Sequence, residues 1–265
     1  MHSITKRVFA RIWQMANKAR VVVAGALGRM GSNAVDTFVA NSDKFELVAG
    51  VVRDLANLDP KVTQEYEDKG VTLSDNLKEI IQSGSVDILV ELTTPESVYA
   101  NSKFALENGV RPVIGATGLS QDEINELSAL SQKSQTGAII APNFAIGAIL
   151  MMQFAKKATE YFEKYEILEL HHDKKLDAPS GTAIKTAEMM EAIAKSKGRD
   201  TEIPIHSVRL PGIVANQEVI FGGLGQTLSV KHVTIDRSSF MPGILLAAEK
   251  VMQLDKLVYG LDQVL

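Results

Sequence analysis

A short β-branched run that breaks on glycines constrains this chain most. Arg20-Val21-Val22-Val23-Ala24 leads into Gly25-Ala26-Leu27-Gly28-Arg29-Met30-Gly31, and a helical pattern through Val35, Phe38 and Val39 follows. Strand, glycine turn and helix in that order open a Rossmann-like, doubly wound α/β fold, the setting of a dinucleotide fingerprint. Gly25 permits the tight turn, Gly28 lets backbone approach a pyrophosphate, and Gly31 lets helix and strand pack closely. The spacing is G-x-x-G-x-x-G rather than the commoner G-x-G-x-x-G. The same run therefore also fits a glycine-rich turn in an α/β domain that holds no nucleotide.

The second strand, Phe45 to Val52, ends Val51-Val52-Arg53-Asp54. Dinucleotide folds often place an acidic residue there for the ribose 2′-hydroxyl, whereas an arginine suits a 2′-phosphate. Arg53 thus points to NADPH, Asp54 keeps NADH open, and a solvated charge pair in a turn is the plain alternative. Further parallel strands are expected at Val86 to Leu92, Arg111 to Gly115 and Gly137 to Ala141, with helices at Glu96 to Asn108 and Ser120 to Ser134. The strands end in Thr93-Thr94-Pro95, Gly115-Ala116-Thr117-Gly118 and Ala141-Pro142-Asn143-Phe144, where ligands of doubly wound sheets bind.

After Phe144 the pattern changes. Ile146 to Phe162 reads as one long helix. Strands then recur without regular helical spacers at Tyr165–His171, Ile203–Leu210, Gln217–Phe221 and Thr227–Ile235. The last alternates Leu228, Val230, His232 and Thr234 against Thr227, Ser229, Lys231 and Val233, which implies an α+β domain with an open mixed or antiparallel sheet and one helix layer. Pro242 to Leu257 reads as a helix returning to the first domain. The expected division is a basic extension over 1–17, a dinucleotide-binding domain over 18–143 plus the C-terminal helix at about 241–265, and a substrate-binding and oligomerisation domain over 144–240. The first 20 residues carry five basic side chains (Lys6, Arg7, Arg11, Lys18, Arg20) and no acidic ones. A transit peptide has that look, but a dispensable extension ahead of a start at Met15 is the preferred expectation.

Composition narrows the function. Net charge is −4, which does not suggest bulk nucleic-acid binding. There is no cysteine, so disulfides, thiolate catalysis and thiolate-held metals are excluded, and a reducing, cytoplasmic setting fits. No apolar run approaches the roughly 20 residues that cross a bilayer, so neither nucleic acid nor membrane is expected as a partner.

The chemistry concentrates in His171-His172-Asp173-Lys174-Lys175-Leu176-Asp177-Ala178-Pro179-Ser180-Gly181-Thr182-Ala183. A strand precedes it (Ile167, Leu168, Leu170), and an amphipathic helix over Thr182 to Lys195 follows. Two imidazoles, two ammonium groups and a helix start with free amides suit an anion that also needs a proton. An acid of near-neutral pKa can supply that proton, and cations with N–H donors can hold the anion. Adjacent histidines on a strand point to opposite faces, so a metal site is not expected. Lys174 reads as solvated, His206 and His232 as structural or surface residues, and Asp177 as a brace for the loop or a helix cap.

Glu169-Leu170-His171-His172 through Thr182-Ala183 resembles the E-x-H-H-x-x-K-x-D-x-P-S-G-T-A signature of the dihydrodipicolinate reductase family. Gly25 to Gly31, Gly115 to Gly118 and Ala141 to Phe144 match its cofactor motifs in the same order, and the resemblance spans about 18–265. It implies NADPH- or NADH-dependent reduction of 4-hydroxy-tetrahydrodipicolinate to tetrahydrodipicolinate, on the route to diaminopimelate and lysine, by a homotetramer joined through second-domain sheets. Carried over, His171 is the general acid and Lys175 a second proton donor, while His172, Gly181 and Thr182 bind the substrate. Gly25, Ala26, Leu27, Gly28, Arg29 and Met30, with Gly115, Ala116, Thr117, Ala141, Pro142, Asn143 and Phe144, hold the cofactor. Val52 stands where the family often has an acidic residue, which gives Arg53 more weight. Ala116 replaces a frequent threonine, a change that a backbone contact survives. Another two-domain Rossmann oxidoreductase, acting on a sugar or amino acid, and a non-catalytic nucleotide sensor are the other readings.

Overall fold

The structure is a computed structural model that describes residues 18–200 and 202–265; the expectation of a dispensable extension over 1–17 lies outside the described residues. The chain divides into two compact units, one running up to Pro142 and resuming at Gly243–Leu265, the other covering Asn143–Pro242.

In the first unit, β1 (Ala19–Ala24), β2 (Phe45–Val51), β3 (Leu73–Ser74), β4 (Ile88–Glu91), β5 (Arg111–Ile114), β6 (Ala138–Ile140) and β11 (Leu257–Tyr259) form one sheet. Its order is β11-β6-β5-β4-β1-β2-β3 and every pairing is parallel. Val21, Val22, Val23 and Ala24 are all fully buried. A strand covered on both faces reads as a continuous apolar run rather than an alternating one. Helices α1 (Gly31–Ala40), α2 (Pro60–Asp68), α3 (Leu77–Gln82), α4 (Pro95–Glu107) and α5 (Gln121–Ser134) connect the strands. One core cluster joins Val22, Leu89, Leu77 and Ala105; another joins Ile114, Ile140, Val98 and Leu127. A capping box of Ser120 and Glu123 starts α5.

The second unit holds α6 (Ile146–Ala158), β7 (Lys164–His171), α7 (Gly181–Ser196), β8 (Ile205–Arg209), β9 (Ala215–Gly223) and β10 (Gln226–Thr234). The sheet order is β10-β9-β7-β8, with β7 and β8 parallel and the other pairs antiparallel, so it is mixed. Met151, Ala155, Ala183, Ala187 and Met190 from the two helices pack on Tyr165, Ile167, Val219 and Phe221. The opposite sheet face carries half-buried Leu168, Leu170 and Ile220 and exposed Val233.

Several boundaries differ from expectation. Helix α6 ends at Ala158 rather than Phe162: Glu160 N and Tyr161 N switch to the carbonyls three residues back, Lys157 O and Ala158 O, and Arg199 takes the Thr159 and Phe162 carbonyls. The tail is α-helical over α8 (Met241–Val251), with a short 3₁₀ turn at Leu261–Gln263. Leu257–Tyr259 then becomes an edge strand whose amide Gly260 N also reaches Ile140 O at 2.8 Å. The elements β3, α2 and α3 lie between the second and third expected strands.

Candidate active site

All strands of the first sheet run the same way, so the loops after β1, β2, β4, β5 and β6 emerge at one edge. Gly25 has φ +81°, and a Cβ there would lie 2.6 Å from Leu92 O, so β1 can turn beside β4 only through glycine. A Cβ on Gly31 would sit 1.9 Å from Gly25 O. These two glycines bring the start of α1 against the turn. Gly28 N closes the turn on Gly25 O at 2.8 Å, so its amide is spent within the turn. The amides of Leu27, Arg29 and Met30 donate to no acceptor among the described residues. Free amides at a helix start form a cradle for an anionic group such as a pyrophosphate. Tyr66 on α2, unforeseen from sequence, clamps the turn by donating its hydroxyl to Ala26 O at 3.0 Å.

At the tip of β2, Val52 is buried while Arg53 and Asp54 are exposed. Asp54 turns onto Asn57, accepting its side-chain amide at 2.7 Å and its backbone amide at 3.2 Å. Those bonds hold the Asp54 carboxyl below its ordinary range. Asp54 is thereby occupied with its own turn, and Arg53 remains the exposed cation. At the end of β4, Glu91 is fully buried. Its carboxylate accepts from Thr93 N at 2.8 Å, from the Thr93 hydroxyl, and from Asn101 Nδ2 at 2.9 Å. Burial pushes its pKa up, and these bonds only partly offset the rise. Glu91 O also receives Gly115 N at 2.9 Å and Ala116 N at 3.2 Å. One residue thus pins two loops of this edge. Gly115, Ala116 and Thr117 lie in the second of these loops, and Ala141 and Pro142 follow β6 at the same edge. Asn143 and Phe144 begin the second unit, and Asn143 Oδ1 accepts Ala145 N at 2.8 Å.

The second unit presents the other group of residues. His171 ends β7, and its Nδ1 bonds Glu169 Oε2. Glu169 is fully buried. Arg209, opposite His171 in the parallel register, reaches it through Nη2 to Oε1 at 2.7 Å and Nη1 to Oε2 at 3.0 Å. Burial raises the Glu169 pKa, but hydrogen bonds from Arg209, Ser207 and His171 outweigh it and leave a net lowering. His171 is lowered as well: burial leads, Lys175 and Arg209 add to it, and Glu169 opposes.

The loop then turns, with Lys175 N bonded to His172 O at 3.1 Å. Lys175 Nζ pairs with both oxygens of Asp177 at 2.7 Å. Asp177 therefore does not cap the helix as one expectation had it. Ser180 does, accepting Ala183 N at 3.3 Å through its hydroxyl. The Gly181 and Thr182 amides at the mouth of α7 donate to no acceptor among the described residues. A Cβ on Gly181 would meet nothing within 4 Å. Packing does not require glycine there, which leaves the open space over a helix start for a ligand. His172 is half-buried, and Lys174 is exposed. His206 pairs with Glu166 on the surface, and His232 packs its ring on Gly147. Among the described residues no group of three or more His, Cys, Asp or Glu is arranged to hold a metal.

The family described as dihydrodipicolinate reductase, N-terminus, matches residues 19–144, and its C-terminus counterpart matches 147–265. The 4-hydroxy-tetrahydrodipicolinate reductase of Syntrophomonas wolfei is 46% identical, over 95% of this chain and 100% of its own length. That of Bacillus licheniformis is 47% identical, over 93% and 97%. A dipicolinate-bound dihydrodipicolinate reductase from Paenisporosarcina sp. TG-14 superposes with TM-score 0.81 at 39% identity, covering 94% of this chain and 100% of that one. A probable dehydrogenase from Thermotoga maritima, at 12% identity and TM-score 0.65, shares the fold alone.

Proposed function

We propose, from the premise that this chain belongs to the dihydrodipicolinate reductase family, how its own residues carry out that reaction. The chain is an NAD(P)H-dependent oxidoreductase of the diaminopimelate and lysine route, reducing 4-hydroxy-tetrahydrodipicolinate to tetrahydrodipicolinate. The bound nicotinamide supplies the hydride. The Leu27, Arg29 and Met30 amides hold its pyrophosphate, Arg53 its ribose end, and the loops pinned by Glu91 the rest, with Ala141, Pro142, Asn143 and Phe144.

The observation that carries the reading is the loop from His171 to Thr182. It carries an imidazole on a buried carboxylate, an ammonium group, and two unspent helix amides in one strand-to-helix loop. The Gly181 and Thr182 amides and Lys175 take the carboxylates of the diacid, and His172 stands beside them. His171 gives the proton. Its pKa is lowered in the free protein, so the ring rests neutral at neutral pH. A bound dianion adds negative charge and favours the imidazolium. Proton uptake then accompanies substrate binding, and the acid is charged when it is needed.

The same reading makes the enzyme a cytoplasmic homotetramer. The open face of the second sheet, with Leu168, Leu170, Ile220 and Val233, supports assembly through that surface. No helix among the described residues is long and apolar enough to cross a membrane.

The test is a coupled assay with substrate made freshly by the preceding synthase, following oxidation of NADPH and NADH. His171→Ala should lower kcat by about 10²–10⁴-fold, the scale of a lost general acid, with cofactor affinity unchanged. Full turnover by that variant would remove His171 from the chemistry, and a wild-type chain that oxidises neither cofactor would overturn the reading.

A further inference from the structure

Along β7, Tyr165, Ile167, Glu169 and His171 fall on one side of the strand by the period of two. The first two are core residues packed under α6 and α7. A carboxylate continuing that row is costly unless it is paired and fully hydrogen-bonded. Here it is. Arg209 grips both oxygens, Ser180 N reaches Oε1 at 3.3 Å, and His171 Nδ1 meets Oε2. The same guanidinium donates to Asp177 O at 2.7 Å. One buried carboxylate therefore touches the imidazole and the cap of α7, and its arginine touches the loop between them.

The bond to His171 also has a direction. A carboxylate kept ionised by a bidentate arginine has only lone pairs to offer. The proton of that contact belongs to His171 Nδ1, and in the neutral ring Nε2 is left bare. We propose that Glu169 and Arg209 are a positioning pair for the reductase reaction: they lock His171 as the Nδ1–H tautomer, make Nε2 the sole atom that exchanges the reaction's proton, and keep that ring in register with the α7 amides. The proposal rests on the reading of His171 as the acid. The charged groups facing the ring are Glu169 from β7, Arg209 from β8, and Lys175, with its partner Asp177, from the loop. Strand β9 sets Ala215 opposite it, and Ser180, the uncharged N-cap residue of α7, joins this network through its amide.

Nitrogen-15 NMR of histidine-labelled full-length protein, without substrate or cofactor, reads the tautomer directly, with His171→Ala identifying the signals. The expected result is a protonated Nδ1 and a bare Nε2 that titrates. Glu169→Gln removes the charge that favours imidazolium and leaves Arg209 unpaired. The His171 titration should then move to lower pH, and the alkaline limb of kcat should move down with it. At neutral pH kcat should fall about 10–100-fold, the scale of losing an outer partner that orients a histidine, while KM changes less than about threefold. An Nε2–H tautomer in an active enzyme overturns this proposal alone, and so does a folded Glu169→Gln protein whose His171 titration is unmoved. If that variant does not fold, the wild-type tautomer decides. A chain inert towards substrate yet carrying the Nδ1–H tautomer overturns the reductase reading instead.

Discussion

Lys175 holds its ammonium 2.7 Å from both carboxylate oxygens of Asp177. The lysine is mostly buried while its partner is 58% exposed. On the proposed reading, a substrate carboxylate competes with an internal one for the same cation. An exposed ion pair is worth up to about 1 kcal/mol, so Asp177→Asn should lower the substrate KM by up to about fivefold with kcat little changed. Steady-state kinetics on the variant checks this; a raised KM would make Asp177 a support for Lys175 rather than its competitor.

Two glycines should answer alanine in opposite ways. At Gly31 the new methyl would strike Gly25 O, a backbone atom with nowhere to go. Overpacking of this kind costs about 1–3 kcal/mol, and at about 2–4 °C per kcal/mol thermal melting should show a drop of several degrees together with weaker cofactor binding. At Gly181 the methyl enters open space. Melting should be unchanged there, and the substrate KM should rise about tenfold or more. Equal melting losses in both would put Gly181 in the fold rather than at the ligand.

Arg53 is left exposed because Asp54 is spent on Asn57. A charge-assisted bond to phosphate is worth about 1.5–3 kcal/mol before solvent weakens it. Arg53→Ala should therefore raise the KM for NADPH about tenfold and leave that for NADH within about threefold. Parallel losses for both cofactors would show that Arg53 does not read the 2′-phosphate.

Glu91 has no cation within its hydrogen-bonded shell, and burial raises its pKa. A carboxyl raised on folding stabilises the folded state below its unfolded value, near pH 4, and loses that contribution as pH climbs through the folded one. Glu91→Gln keeps the shape and the acceptor for Thr93 without the charge, and its amide can donate to Asn101 once that side chain turns its oxygen inward. It should melt higher than wild type at pH 7–8, and the gain should vanish near pH 4. A variant less stable at every pH would show that the ionised form is needed.

The part of the fold written in contiguous sequence was legible. A β-branched run, glycines at fixed spacing and helical periodicity located β1, the turn and α1; clustered histidines and lysines between a strand and a helix located the His171 loop, and the resemblance gave its residues their roles. Elements defined by distant partners were not. Leu257–Tyr259 is too short to declare itself and becomes a strand only by lying beside β6. Leu73–Ser74 exists only along β2. Arg209 was missed because its meaning lies 40 residues away, where the β7–β8 register sets it opposite His171. One signal was available: Glu169 continues the apolar row of Tyr165 and Ile167, and a charge in such a row calls for a partner. Tyr66 gave no comparable hint, since its clamp on Ala26 O depends on how α2 returns over the turn.

The placing of β11 beside β6 sets an order of assembly. Chains emerge from the ribosome N-terminus first and tend to fold as they do. The four-stranded sheet is complete in sequence by Thr234, whereas the seven-stranded one lacks its edge until Tyr259 has been made. The nascent first unit must wait, with β6 unpaired on one side, while a whole second unit is synthesised within it. Shortening the tail by a dozen residues would leave that flank of the larger sheet open to pairing with other chains, so aggregation during synthesis, more than slower catalysis, would be the mark of a prematurely stopped product.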